Sequence, residues 1–125
     1  MTFEEALQEE LSTIMKVYPL NAKEGTKAPY IIYVSSEGLQ DKSLQGYLDS
    51  KEVSFELNIL HNGYGLLKSK TRLVLQKVLS FQGRAIGNDG PFIENVSYEK
   101  PVELWEDQVK LYRCIINCKV KFKEG

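Results

Sequence analysis

Apolar residues in this chain follow two rhythms. Phe3, Leu7, Leu11, Ile14 and Met15 recur at helical spacing, with Glu4, Glu5, Gln8, Glu9 and Ser12 on the other face. Thr2 and Glu5 are placed as a capping box, and the early glutamates suit the positive end of a helix dipole. The pattern predicts a helix over 2–17, stopped by Pro19. After a polar loop over 21–28, residues 30–36 are β-branched and aromatic and predict a strand. That strand is apolar on both parities, with Tyr30, Ile32 and Val34 against Ile31 and Tyr33. Such a strand is either central or in contact with a partner through its second face.

Residues 37–50 hold two glycines and scattered polar side chains without a sustained period, and predict a long excursion. Loops of this length are usually functional or disordered. Residues 51–60 then alternate cleanly, Val53, Phe55, Leu57 and Ile59 against Ser54, Glu56 and Asn58, as a half-buried strand does. A turn at 61–63 leads to a second helix over 64–80. Leu67, Thr71, Val74, Leu75, Val78 and Phe81 form its core stripe. Leu66 and Leu73 lie off that stripe, as either a broad core edge or the start of a subunit contact. A turn at 83–91, a strand at 92–100, a link at 101–107 and a final strand at 108–123 complete the chain. In the last strand Val109 and Leu111 break parity with Tyr112, Cys114, Ile116, Cys118, Val120 and Phe122, which predicts a bulge or a changed environment there.

The elements predict one α+β domain over 1–125, in the order α-β-β-α-β-β. Its sheet is expected to be antiparallel with four strands, or five if 18–20 contributes one, and both helices are expected on one face. The length of 125 residues supports a core without staples. A formal charge of −1, from 16 basic and 17 acidic residues, argues against a general nucleic-acid binder. No apolar run approaches the ~20 residues of a membrane span, and the acidic N-terminus does not read as a signal peptide, so cytosolic synthesis is expected. Cys114 and Cys118 lie four apart in a strand, ~13 Å of chain, too far for a disulfide, which needs Cα atoms within ~7 Å. They are expected to be reduced, buried thiols.

Candidate chemistry is thin. His61 is the sole histidine and stands at a strand end without a neighbouring nucleophile. Gly63-Tyr64-Gly65 joins strand to helix where phosphate-binding glycines can sit, but lacks the rest of either phosphate motif. Glu99, Glu103, Glu106 and Asp107 flank Trp105 as a solvated acidic stretch. Lys119, Lys121 and Lys123 form a basic stripe of the kind that guards strand edges. No catalytic constellation, cofactor site or metal set emerges, and an enzyme is not expected.

Tyr18-Pro19-Leu20, Gly25 and Pro29-Tyr30-Ile31-Ile32-Tyr33, followed by a polar excursion, a strand, a small-residue turn, a helix and a strand opening on Leu111-Tyr112-Arg113, form an ordered series. In this the whole chain resembles the tail-completion family of long-tailed bacteriophages and prophages, also called tail terminator or tail-to-head joining proteins. Family members often carry a Trp after the third strand, where this chain has His61-Asn62. The resemblance implies a structural protein of the virion. It would form a ring of about six subunits when concentrated or bound to tail tubes, the free protein being either this ring or a monomer, and the ring would cap the tail tube, stop its polymerisation and join the head connector. Its partners would be its own copies, the major tail protein and the connector. DNA would pass through the lumen without specific binding, and no membrane would be involved. The protein would act in the host cytoplasm during assembly and then in the neck of the virion. A neighbouring neck protein is the alternative, and a small-molecule or peptide-binding module is a second one. A closed ring needs two different patches per subunit. Tyr30, Ile31 and Tyr33 on the first strand, Leu39, Asp41, Lys42, Leu44 and Tyr47 in the excursion, and Leu66 and Leu73 on the helix are the residues expected to make them.

Overall fold

The structure, a computed structural model, describes residues 1–43 and 46–123, and describes 39–43 and 46–49 as backbone. Helix α1 spans Phe3–Leu11, followed by strands β1 (Lys16–Pro19), β2 (Tyr30–Ser35), β3 (Leu39–Ser43) and β4 (Gly46–His61). Helix α2 spans Tyr64–Leu79, followed by β5 (Arg84–Ala85), β6 (Phe92–Tyr98), β7 (Val102–Glu106) and β8 (Leu111–Lys123). The strands make one strongly curled sheet in the order β1-β2-β4-β8-β6-β5, with β3 added to β4 and β7 added to β8. β1 and β2 run parallel, and the other pairs are antiparallel.

This corrects the expected architecture. The sheet is not antiparallel throughout, and it has eight strands among the described residues, one of them two residues long, instead of four or five. Three local reasons account for the difference. First, α1 stops at Leu11 and not at 17. Ser12 and Thr13 turn their hydroxyls back onto the Gln8 and Glu10 carbonyls, and residues 16–19 pair with 30–33 instead. Second, the excursion at 37–50 is a hairpin: Leu39 pairs with Glu52 and Ser43 with Gly46, with a register shift between Gln40 and Lys42. Third, the supposed link 101–107 is a strand, because β8 is long enough to pair with β6 through its second half and with β7 through its first.

The capping box forms as the sequence requires. The Glu5 N–H donates to Thr2 Oγ1 at 3.1 Å, and the Thr2 N–H donates to Glu5 Oε1 at 3.0 Å. Both helices lie against one face of the central pair, β4 and β8. There Phe3, Leu7 and Leu11 from α1 and Leu67, Val74 and Val78 from α2 meet Val53, Phe55, Leu57, Ile59, Cys114, Ile116 and Val120. Full burial of each such side chain contributes roughly 1.5–3 kcal/mol. Phe3 anchors α1, with its ring 5.3 Å from that of Phe55 and 5.4 Å from that of Phe122.

A polar clip closes the bottom of α1. Glu10 accepts from Arg84 Nη1 and Nη2 at 3.0 and 2.9 Å and from the Gly87 N–H at 2.8 Å. This joins α1 to the segment after α2. The approach is close enough that a Cβ on Gly90 would sit 2.2 Å from the Ile86 carbonyl oxygen and 2.6 Å from Ala6 Cβ.

The opposite face of the sheet is divided. At one end Tyr30, Ile32, Leu60 and Leu111 form a small second cluster covered by Tyr18, Ala22 and Ala28. At the other it is an open trough of about 620 Å³, lined by polar Ser54, Glu56, Asn117 and Lys119 together with apolar Val34 and Tyr98. The parity break in the last strand has its explanation here. Residues 107–110 are a turn, with Lys110 at φ 55, and Leu111 points into the second cluster.

Candidate functional site

The hairpin of β3 and β4 departs from the body of the fold. β4 pairs with β8 from His61↔Tyr112 to Ser50↔Lys123 and continues to Gly46 with β3 as its partner. Leu39 and Gln40 pair with Glu52 and Lys51 alongside the β4–β8 ladder, and residues 42–43 and 46–49 form a two-stranded arm beyond its end. Its base is fixed at Gly38. The φ of +77 there suits glycine, and a Cβ would lie 2.2 Å from the Glu52 carbonyl oxygen. Glu37 and Lys51 pair across the base at 3.4 Å.

The residues expected to make contacts are distributed unevenly. Ile31 is fully buried under the helices, and Tyr33 is buried beside it with its hydroxyl 3.3 Å from Gln8 Oε1. Burial, with Glu4 and Glu5 nearby, raises the Tyr33 phenol above its ordinary range. Tyr30 is buried in the second cluster. The two-sided apolarity of this strand is therefore satisfied within the subunit. Its second face is covered by the 20–29 loop, and only Val34, 41% exposed, reaches solvent as a large apolar residue. Leu66 and Leu73 are 57% and 46% exposed, so they are not a core edge and are open to a partner. The side chains of Leu39, Asp41, Lys42 and Tyr47, and the whole of Leu44, lie outside the described residues.

The structure also brings together a group that the sequence reading dispersed. Trp105 on β7, Tyr112 on β8 and Tyr64 at the start of α2 pack edge to face, with centroids 4.8 Å apart for Trp105–Tyr112 and 5.6 Å for Tyr64–Tyr112. Glu103 beside them accepts from Tyr64 Oη at 3.0 Å and pairs with Lys68 at 2.9 Å. Those bonds, the Lys68 one foremost, hold its carboxyl below the usual range. Trp105 and Tyr64 remain about half exposed. The missed signal was the alternation of Val102 and Leu104 against Glu103 and Trp105, obscured by Pro101 and the surrounding charge.

The remaining candidate side chains are placed as follows. His61 is buried, and its Nδ1 accepts the Gly63 N–H at 3.3 Å, so it is the neutral tautomer protonated at Nε2. Burial, and then Lys70, lower its pKa. Gly63 precedes α2 as its N-cap. Among the acidic residues, Glu106 pairs with Arg113 at 2.9 Å and Asp107 with Lys110 at 2.7 Å, so these carboxylates are neutralised locally instead of pooled. Cys114 and Cys118 are both free and buried, and burial pushes the Cys118 thiol up to about 12. Lys119 pairs with Glu52 at 3.5 Å across the basic stripe. Among the described residues no group of three or more His, Cys, Asp or Glu is placed to hold a metal, and no helix is long and apolar enough to cross a membrane.

No family model matches the chain, and no curated protein matches it in sequence. Its fold, in contrast, recurs among solved structures. A chain of the virion of a native gene transfer agent particle superposes with a TM-score of 0.69 at 10% identity, over 98% of this chain and 95% of that one. A second solved structure, of a protein whose name states no function, gives 0.57 at 13% identity, over 98% and 92%. At these identities the likeness is one of fold, shared over 98% of this chain with a chain of a gene transfer agent virion.

Proposed function

We propose that this chain is a structural protein of a phage or prophage, that it caps the tail tube as a ring, and that it thereby ends tail polymerisation and joins tail to head. The observation that carries the reading is the whole-length likeness to a virion component. The ordered sequence features around Tyr18-Pro19-Leu20 and Pro29–Tyr33 supply the narrower assignment. The surface is consistent with assembly and not with chemistry. It offers a projecting arm, an exposed Leu66/Leu73 stripe and a half-exposed aromatic group, while Glu103, Glu106 and Asp107 around that group are each paired with a cation and the two thiols are buried. The partners are its own copies, the major tail protein and the head connector. No bound cofactor, catalysis or membrane enters the role. The protein works in the host cytoplasm during assembly and then in the neck of the virion, where a nearly neutral ring lets DNA pass without holding it. A ligand-binding module is less well supported, since the space between helices and sheet is filled by core side chains such as Leu7, Leu67 and Ile59.

The test is to add purified protein to tail tubes that lack a terminator and examine them by electron microscopy, with native mass spectrometry of the free protein. Rings on one end of each tube are expected. Bare tubes together with rings bound to purified head connector would move the protein to the neighbouring neck position. Binding to neither would end the assembly reading.

A further inference from the structure

We infer that successive copies in the ring meet through their helices, with the acidic outer face of α1 from one copy seated on the basic, leucine-bearing flank of α2 from the next. The inference rests on the ring reading above and names the two patches that close the ring.

Charge in the helix layer is separated along the chain. Residues 1–13 hold Glu4, Glu5, Glu9 and Glu10 and no Lys or Arg. Residues 57–88 hold Lys68, Lys70, Arg72, Lys77 and Arg84 and no Asp or Glu. The fold reconciles only part of this. Glu10 takes both Arg84 and Lys77, and Lys68 goes to Glu103. Lys70 and Arg72 on the one side, and Glu4, Glu5 and Glu9 on the other, make no ion pair among the described residues. The α2 side therefore keeps a net +3, from Lys70, Arg72, Lys77 and Arg84 against Glu10. The α1 side keeps a net −2, from Glu4, Glu5 and Glu9 against the N-terminal ammonium.

The basic flank has room for an occupant. An open groove of about 490 Å³ runs between the chain after α1 and the helix α2, with Thr13, Ile14, Lys70, Leu73, Gln76 and Lys77 in its lining. Leu73 is 46% exposed, and Leu66, two turns earlier on the same flank, is 57% exposed. At 16 residues α2 is ~24 Å long, and at 9 residues α1 is ~14 Å, so one α1 fits within the length of this flank. Charge selects which surface of a second copy lies there. Two α2 flanks face to face would oppose Lys70 to Lys70, and two α1 faces would oppose their glutamates. An incoming α1 instead brings its exposed Glu5 and Glu9 to Lys70, and the aliphatic stems of those glutamates cover Leu66 and Leu73. The two patches differ, which is the heterologous contact a closed ring requires.

Three surface variants test this. One reverses the basic flank (Lys70→Glu and Gln76→Glu). The second reverses the acidic face (Glu4→Lys and Glu9→Lys) and leaves Glu5 to its capping box. The third carries both reversals in one chain. Oligomeric state is read by native mass spectrometry at low salt and by electron microscopy on tail tubes, with circular dichroism confirming that each variant is folded. The wild type is expected to form rings that weaken with salt. Each single reversal is expected to associate at least about tenfold more weakly, and the doubly reversed chain, whose two patches are again opposite in sign, to regain rings. Wild-type rings matched by equally strong rings from each single reversal, or with no recovery in the doubly reversed chain, would overturn the helix contact and leave the ring intact. A wild type that forms no ring, free or on tail tubes, would overturn both. Should a variant not fold, carbodiimide cross-linking of an isotopically mixed wild-type ring serves instead, with the Lys68–Glu103 pair at 2.9 Å as its internal control. Intersubunit links from Lys70 or Lys77 to Glu4, Glu5 or Glu9 are expected, and intersubunit links confined to other residues would refute the contact.

Discussion

Removal of the Glu10 carboxylate tests whether the polar clip fastens α1 to the rest of the fold. Its side chain is 13% exposed and accepts three hydrogen bonds, two from Arg84 and one from the Gly87 N–H, with Lys77 at 3.8 Å. A hydrogen bond to a charged group contributes about 1.5–3 kcal/mol. The Arg84 side chain is 39% exposed, so water replaces much of its share when the carboxylate goes. The Gly87 N–H is left without its acceptor. The expected cost of Glu10→Ala is about 2–3 kcal/mol, and of Glu10→Gln, which keeps an acceptor of the same shape, about 1 kcal/mol. Urea unfolding at pH 7 measures both. The pH dependence gives an independent check. Arg84 first, then the Gly87 N–H and Lys77, hold the Glu10 carboxyl below its ordinary value of 4.5, against the opposing effect of burial. A carboxyl whose folded pKa is depressed stabilises fully above its unfolded pKa and loses that contribution as pH falls through the folded one. Between pH 5 and pH 3 the wild type should therefore lose more stability than Glu10→Gln. If Glu10→Ala unfolds within about 0.5 kcal/mol of wild type at pH 7, the range of an ordinary surface change, the clip does not carry the load assigned to it.

Three further outcomes are expected. Gly90→Ala should destabilise by about 2 kcal/mol or more, because its Cβ would overlap the Ile86 carbonyl and Ala6; an unchanged thermal midpoint would show that the 86–91 loop yields freely. His61, whose pKa is lowered by burial and then by Lys70 from its ordinary 6.5, contributes stability above that pH and loses it as pH falls. Wild type should thus weaken between pH 7.5 and 5.5 while His61→Gln stays flatter, and parallel pH profiles would contradict this. Finally, Cys114 and Cys118 should resist a thiol reagent in the native protein and react at once in denaturant, since burial raises both thiols; rapid native labelling would show that the sheet opens under α2.

Legibility in the sequence followed the reach of the interactions. The α1 cap, the α2 core stripe and the clean alternation of 53–59 were readable because each is decided within a few residues. The C-terminal end of α1 was not, because residues 16–19 take a parallel strand partner at 30–33 that no local pattern announces. The arm reads as a loop in sequence, since residues 37–50 hold two glycines and no sustained period, and the pairing of Leu39 with Glu52 and Ser43 with Gly46 is not announced by any local pattern. β7 was hidden by Pro101 and its carboxylates, and with it the aromatic group, whose members lie on three separate elements. Of the expected contact residues, Leu66 and Leu73 are at the surface, whereas Ile31 and Tyr33 lie in the main core on the helix face and Tyr30 in the second cluster, which is closed by a loop that no local pattern folds back.

β4 runs unbroken for 16 residues, from the arm to the turn that opens α2. At about 3.3 Å per residue it is a tie rod of roughly 50 Å. A pull on the arm is directed along this strand, against the twelve-pair register it shares with β8. Tension in that direction loads many ladder bonds together instead of peeling them singly. Mechanically, the arm is the handle of the most resistant member in the molecule, and the base at Gly38 is where bending, not rupture, should occur.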